Sequence, residues 1–341
     1  MARMPGMAPA LTLWAQFLLC LALIGLAGPE LCRSGEAIAQ RTGLSGSWIG
    51  LALLATVTSL PELVTGLSAA GLAEAPDIAA GDVFGSCIFN LAILGALLIG
   101  LRERPVFAAV SRTHLMTAAF GVVLLALALT GLLVAPRTAL LTFGHVGVFS
   151  LLLLAAYALA MRAIFAGEAA RPAPAARPAP AASAGPPLTA ALVRYLGAAI
   201  IVAVAGVWLP LVGARLAVAM HWQQSFVGTL FIAAATSMPE IVVTIAAARI
   251  GAIDMAIGNL LGSNLFNVLL LAFDDVAYRP GPLFAAVAPV HATSAAVALL
   301  MTGIVLAALA AAGGTRSRQR GVGWVLLLAY LLNTWLVYRQ P

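Results

Sequence analysis

Thr58, Ser59 and Glu62 stand in the segment Thr58-Ser59-Leu60-Pro61-Glu62, and Thr236, Ser237 and Glu240 in Thr236-Ser237-Met238-Pro239-Glu240, so one chain carries the same hydroxyl, proline and carboxylate arrangement twice. A second matched pair follows, Gly85-Ser86-Cys87-Ile88-Phe89-Asn90 and Gly262-Ser263-Asn264-Leu265-Phe266-Asn267. Hydroxyls, carboxylates and amide or backbone carbonyls are the oxygen donors that hard cations such as calcium, sodium and magnesium take. Residues three and four apart share a helix face. Ala55, Thr58, Ser59 and Glu62 therefore line one stripe, and Ala233, Thr236, Ser237 and Glu240 a second. Ser86 with Asn90, and Ser263 with Asn267, form a polar ladder on the next helix of each copy. Pro61 and Pro239 cannot donate to the carbonyls of Val57 and Ala235, which are thereby freed. The plainer roles open to these side chains are back-bonding of the hydroxyls to their own helix and bridging of helices by the asparagines.

The elements that position these residues cross a lipid bilayer. Of the 341 residues, 62% are hydrophobic and 9% charged, which excludes an ordinary soluble domain. Mean hydropathy is +1.05. With about 20 apolar residues needed per crossing, roughly ten spans fit, near 11–28, 44–71, 77–100, 113–134, 139–165, 189–213, 224–249, 254–273, 283–311 and 321–338. The fold class read here is an all-α polytopic membrane protein. A carboxylate at the bilayer centre costs roughly 2.5 to 3.5 kcal/mol on insertion scales, so Glu62 and Glu240 need a reason to be there; a protonated or hydrogen-bonded packing role serves for one, but two at equivalent positions of a repeat favour a shared ion site. The first span reads as a permanent helix rather than a cleaved leader, because the second half has a counterpart before its own motif. Cys20, Cys32 and Cys87 have neither metal-site nor disulfide spacing and are assigned to packing.

Pro172, Pro174, Pro178, Pro180, Pro186 and Pro187 make 168–187 an Ala/Pro-rich linker between two five-helix repeats, 1–167 and 188–341. An odd number of crossings per half inverts the second copy relative to the first, an architecture common to secondary transporters. The copies are offset by 178 residues at Glu62 and Glu240 and by 177 at Asn90 and Asn267. All 18 basic residues are arginine, and alternate loops collect 13 of them on one side against five on the other. The arginine-rich side is expected to be cytoplasmic, which puts the linker inside and both termini outside a cell (inner) membrane. The net charge of +6 is read through this loop placement and not as nucleic-acid binding.

The doubled motifs resemble the two alpha-repeats of the sodium/calcium exchanger family, within the wider calcium/cation antiporters. The resemblance covers both motif helix pairs and the ten-crossing plan. It implies a metal-ligand set of Thr58, Ser59, Glu62, Ser86 and Asn90 with Thr236, Ser237, Glu240, Ser263 and Asn267, joined by the backbone carbonyls of Ala55 and Ala233. The chain departs from the family at Val57 and Ala235, which replace glycine, at Asn267, where several members carry aspartate, and at Asp82 and Cys87, which replace asparagine. Asp82 lies four residues before Ser86, and two readings are open to it, added charge at the mouth of the site or contact with water; water is favoured, because it lies close to a helix start. The stretch from Phe273-Asp274-Asp275 to Arg279-Pro280-Gly281-Pro282 reads as a polar outer turn; its acidic pair is expected to be solvated, the second reading being that it gathers cations before entry.

The expected function is exchange of calcium for sodium by alternating access, with no cofactor beyond the transported Ca2+ and Na+. Partners are inorganic cations and the lipid bilayer, with no nucleic acid, and a monomer suffices. A proton-coupled exchanger of the same fold remains open, as do a cation channel or sensor. An intramembrane hydrolase using Ser59 or Ser237 is disfavoured, because His114, His145, His221 and His291 all lie outside the motifs.

Overall fold

A computed structural model describes residues 7–41, 58–101, 112–137, 142–169, 187–249, 253–311 and 315–340. Ala55, Val57 and nearly all of the Ala/Pro-rich linker lie outside these residues. Long apolar stretches without charged breaks fold as helices, since only a helix satisfies its own backbone in hydrocarbon. In chain order they are α1 (Met7–Arg41), α2 (Leu60–Gly71), α3 (Pro76–Gly100), α4 (Arg112–Val134), α5 (Val148–Ala169) and α6 (Leu188–Met220). The second half continues with α7 (Gln224–Thr236), α8 (Met238–Arg249), α9 (Ile253–Ala277), α10 (Val290–Ala310) and α11 (Arg316–Arg339).

Eight of the described helices are long and apolar enough to cross a membrane, and α7 with α8 makes a ninth span bent by 46°. The span expected over 44–71 is described only from its C-terminal part, α2. The helices of the spans placed at 11–28 and 189–213 run on to Arg41 and Met220, and three further boundaries shift for visible reasons. The span placed at 139–165 starts later, because Thr142–Phe143 and Val146–Gly147 pair as a short antiparallel hairpin turning at Gly144, whose φ is 65°. The span placed at 283–311 starts at Val290, after one helical turn at Leu283–Ala286. The span placed at 254–273 runs on to Ala277.

That last extension overturns the reading of Asp274 and Asp275 as a solvated turn. Both are fully buried inside α9. Asp275 accepts from Gly147 N at 2.8 Å, Ser150 Oγ at 2.5 Å and Leu283 N at 2.6 Å, so its carboxylate ties α9 to the start of α5 and to the loop that follows. Asp274 packs against Gly66 of α2, where a Cβ would fall 2.5 Å from its Oδ1. The turn itself begins only after the helix ends.

The two long helices α1 and α6 lie along each other, and α1 also packs against α8, where a Cβ on Gly28 would meet Pro239 at 2.5 Å. The main apolar core is built from α3, α4, α5, α9, α10 and α11. Within it the two motif helices α3 and α9 pack on one another, and α3 also meets α7. At the start of α3, Asp77 accepts from Ala288 N at 2.7 Å and lies 3.0 Å from His291 Nε2, fixing that end to α10.

Candidate functional site

Both proline motifs break their helix at the same serine. Ser59 has φ −89° and ψ 13°, and Ser237 has φ −79° and ψ 13°. Proline two residues later cannot donate to the carbonyl four residues before it, so a new helix starts there. Pro61 and Pro239 fall in the first turns of α2 and α8, and so do Glu62 and Glu240. The four-residue spacing therefore does not form one continuous stripe as expected. Each carboxylate instead sits at a fresh helix N-terminus, whose dipole favours negative charge.

On the N-terminal side of the second break, Val227–Ile232 winds as a π-helix, a rare form that is frequent at functional sites. It is held against α3 by glycines. A Cβ at Gly81 would lie 2.9 Å from Thr229 N, one at Gly85 would run into Thr229 O and lie 2.8 Å from the Ala233 Cβ, and one at Gly228 would lie 2.7 Å from Ile78 O. Backbone thus meets backbone where α3 crosses α7, which brings the polar ladder of α3 up to the broken helix.

The expected site residues that the structure describes converge, and none is exposed. Thr58, Ser59, Glu62, Ser86, Asn90, Ala233, Thr236, Ser237, Glu240, Ser263 and Asn267 all have zero accessibility. The bonds run between the halves. Ser59 Oγ donates to Glu240 Oε1 at 3.2 Å, and Ser237 Oγ donates to Glu62 Oε1 at 3.1 Å. Ser237 Oγ also lies 3.1 Å from Ser86 Oγ, and Thr58 Oγ1 lies 3.2 Å from Ser263 Oγ. The second carboxylate oxygens, Glu62 Oε2 and Glu240 Oε2, are buried with no hydrogen-bond partner. The two glutamates are close enough to repel one another.

The asparagines behave differently in the two copies. Asn90 Nδ2 donates to Asn264 Oδ1 at 3.0 Å, whereas both amide atoms of Asn267 are buried without a partner. The Ala233 carbonyl is shared by Ser237 N at 3.0 Å and Thr236 Oγ1 at 3.2 Å. The carbonyl of Ala55 lies outside the described residues.

Asp82 is a correction. It does not meet water: it is fully buried, and Thr236 Oγ1 donates to its Oδ1 at 2.9 Å while Oδ2 has no partner. Sequence reasoning also passed over Asn264 and Asn259, both buried. The internal offset of 177 residues aligns Asp82 with Asn259 and Cys87 with Asn264, and that alignment is the signal that could have found them. A dense set of buried oxygens with unfilled valences, drawn from both halves and free of basic partners among the described residues, can take up a bare cation.

The family model for sodium/calcium exchanger protein matches twice, over residues 12–166 and 190–339. A putative antiporter, CaxA, of Alkalimonas amylolytica is 27% identical over 314 residues, covering 89% of this chain and 91% of its own. The sodium/calcium exchanger MaX1 of Methanosarcina acetivorans is 49% identical over 45 residues, 13% of each chain. In fold, the chain resembles the sodium-calcium exchanger NCX_Mj in a crystal soaked with sodium and strontium, with a TM-score of 0.60, 23% identity and coverage of 95% of this chain and 97% of the other. With the family model matched over both halves, the chain belongs to the sodium/calcium exchanger family.

Proposed function

We propose that this protein exchanges calcium for sodium across the cell's inner membrane, with Glu62 and Glu240 as the central ligands of both ions. Thr58, Ser59, Ser86, Asn90, Thr236, Ser237, Ser263, Asn267 and the carbonyls of Ala55 and Ala233 complete the set. The observation that carries this reading is reciprocal. Each glutamate is held through one oxygen by the serine of the other half, and its second oxygen is buried and unpartnered. A buried carboxylate without a countercharge is costly, and a cation placed between the two supplies it. Two such groups balance one calcium or two sodium ions, which lets the ions compete for one place.

The halves are 1–167 and 188–341, joined by a cytoplasmic linker over 168–187. Both termini face outward, as the arginine distribution supports. Alternating access follows from the site's position between inverted halves, where rocking of one part of the bundle against the rest opens one face at a time. No covalent chemistry is involved, and an inward sodium gradient drives calcium outward.

The test is calcium flux into and out of liposomes under an imposed sodium gradient. Sodium-dependent, saturable flux that disappears in Glu62→Gln/Glu240→Gln is expected. Equal flux in the wild type and the double variant would remove the proposal. Flux driven by a pH gradient without sodium would make the protein proton-coupled, and unsaturable flux without a counter-ion would make it a channel.

A further inference from the structure

We propose that Asp77 and His291 form a proton-binding latch at the outer end of the bundle, apart from the ion site, through which acid on that side slows exchange. The inference goes beyond the exchanger reading and uses it for one of its two readouts.

Asp77 stands in the first turn of α3, the helix that carries Ser86 and Asn90, and His291 in the first turn of α10. Asp77 Oδ1 lies 3.0 Å from His291 Nε2 and 2.7 Å from Ala288 N, so one carboxylate oxygen holds both the start of α10 and the loop before it. The pair also has a way to solvent. The His291 side chain is fully buried, but that of Asp77 is 27% exposed, and Asp77 lines a cavity of about 440 Å3 with His221, Gln223, Gln224, Ser225 and Ala288. His291 Nδ1 is buried without a hydrogen-bond partner, and so is Ser294 Oγ, three residues further along the same helix face. A second proton on the imidazole therefore has an unbonded nitrogen to occupy, and a hydroxyl able to accept from it stands on that face.

The plainer reading is a fixed brace between α3 and α10. The chain argues for more, because it carries the pair of residue types twice. The 177-residue offset that aligns Asn90 with Asn267 also aligns Asp77 with Asp254 and His114 with His291. The histidines sit in matching segments, His114-Leu115-Met116-Thr117-Ala118-Ala119 and His291-Ala292-Thr293-Ser294-Ala295-Ala296. Any donor would serve a brace, whereas histidine is the side chain that ordinarily changes charge between pH 5 and 8. Protonation adds the attraction of opposite charges to the hydrogen bond with Asp77. The sign follows. Acid tightens the tie between α3 and α10, and a helix of the ion site is held back from the shift that opens its face. The other titratable or charged groups on the elements around this end of α10 are Asp82 further along α3, His221 after α6, Tyr338 and Arg339 at the end of α11, and Arg137 beyond α4. His221 is the second histidine among them, and it shares the cavity.

The test is sodium-driven calcium flux in proteoliposomes of uniform orientation, with the pH of the compartment facing the latch varied between about 5.5 and 8 and the other held. Wild-type flux is expected to fall by about threefold or more on acidification, the scale of adding charge to a hydrogen bond. His291→Gln keeps an N–H for Asp77 but takes up no proton, and should lose most of this response. Asp77→Asn keeps an oxygen for Ala288 N and removes the charge, and should blunt the response likewise. His221→Gln should retain it. Wild-type flux indifferent to pH on that side overturns the proposal. So does an undiminished response in folded His291→Gln, which protons taken up at Glu62 or Glu240 would produce, or a response that disappears with His221 instead. Where thermal unfolding in detergent shows His291→Gln to be unfolded, Asp77→Asn carries the same decision. A wild type without sodium-driven flux at any pH removes the exchanger reading alone. The latch is then judged by the pH dependence of thermal unfolding, which His291→Gln should flatten, and identical profiles for the variant and the wild type overturn it.

Discussion

Cys87 and Asn264 hold the same position in the two repeats, 177 residues apart, and bond to each other: Asn264 Nδ2 donates to Cys87 O at 3.0 Å, and Cys87 Sγ lies 3.8 Å from Asn264 O. The pair ties α3 to α9. It also explains an asymmetry. Asn90 finds the amide of Asn264, and by the repeat Asn267 should find the side chain at position 87. A thiol offers no amide oxygen, and Asn267 is left with both amide atoms buried and unpartnered.

Replacing the thiol should repair this. Cys87→Asn is expected to give Asn267 the partner that Asn90 already has, adding about 1 kcal/mol for one buried hydrogen bond. Thermal unfolding in detergent checks it, and a melting temperature below the wild type would show that position 87 has no room for the amide. Asn264→Ala removes the side-chain bonds to Asn90 Nδ2 and Cys87 O together, leaving the Cys87 Sγ contact with the backbone oxygen, and should lower the melting temperature.

The serine–glutamate bonds of 3.2 Å and 3.1 Å join equivalent residues of the two repeats. Ser59→Ala and Ser237→Ala each remove a donor to a buried carboxylate, a loss of about 1.5 to 3 kcal/mol for a bond to a charged group. Their effects on calcium affinity should therefore be alike, each roughly ten- to a hundredfold weaker on that scale. Calcium titration of the two variants side by side decides it. A large effect in one half only would contradict the reciprocal arrangement.

Gly85→Ala tests the crossing of α3 over α7. Alanine ordinarily favours a helix over glycine by about 0.5 to 1 kcal/mol. At Gly85, however, the added Cβ would run into Thr229 O, and overpacking of this kind costs typically 1 to 3 kcal/mol. The variant should unfold at lower temperature and lose calcium binding. Gly100→Ala, with nothing within 4 Å of its Cβ, is the control and should be as stable as the wild type or more so.

Asp275→Asn separates a structural carboxylate from those of the site. Asp275 takes three donors from Gly147, Ser150 and Leu283. An amide would turn an NH2 group toward one or more of them, leaving buried donors unsatisfied at about 1 to 3 kcal/mol each. A lower melting temperature with unchanged calcium affinity in the folded fraction is expected. Loss of calcium affinity without loss of stability would place Asp275 in the ion path.

Much of this arrangement was legible in the chain. Apolar run length found nearly every described span, because crossing a bilayer imposes a minimum length that little else does. The doubled Thr-Ser-x-Pro-Glu segments located both helix breaks, since proline acts on its own local backbone. What could not be read was set by distant contacts. Asp82 looked solvated from its place near a helix start, yet its burial is decided by glycine packing and by Thr236, 154 residues away. Asp274 and Asp275 had the composition of a turn, but acceptors for Gly147 N and Leu283 N were needed there, and the helix ran through them. The π-helical stretch Val227–Ile232 has no residue-type signature at all.

Because Ser59 reaches Glu240 and Ser237 reaches Glu62, neither repeat completes the hydrogen bonding of its own glutamate. During synthesis the first glutamate must wait in the membrane until the other half has been threaded and docked. A substitution in one repeat is felt by a side chain encoded some 180 positions away, and the two halves are therefore bound to change in step.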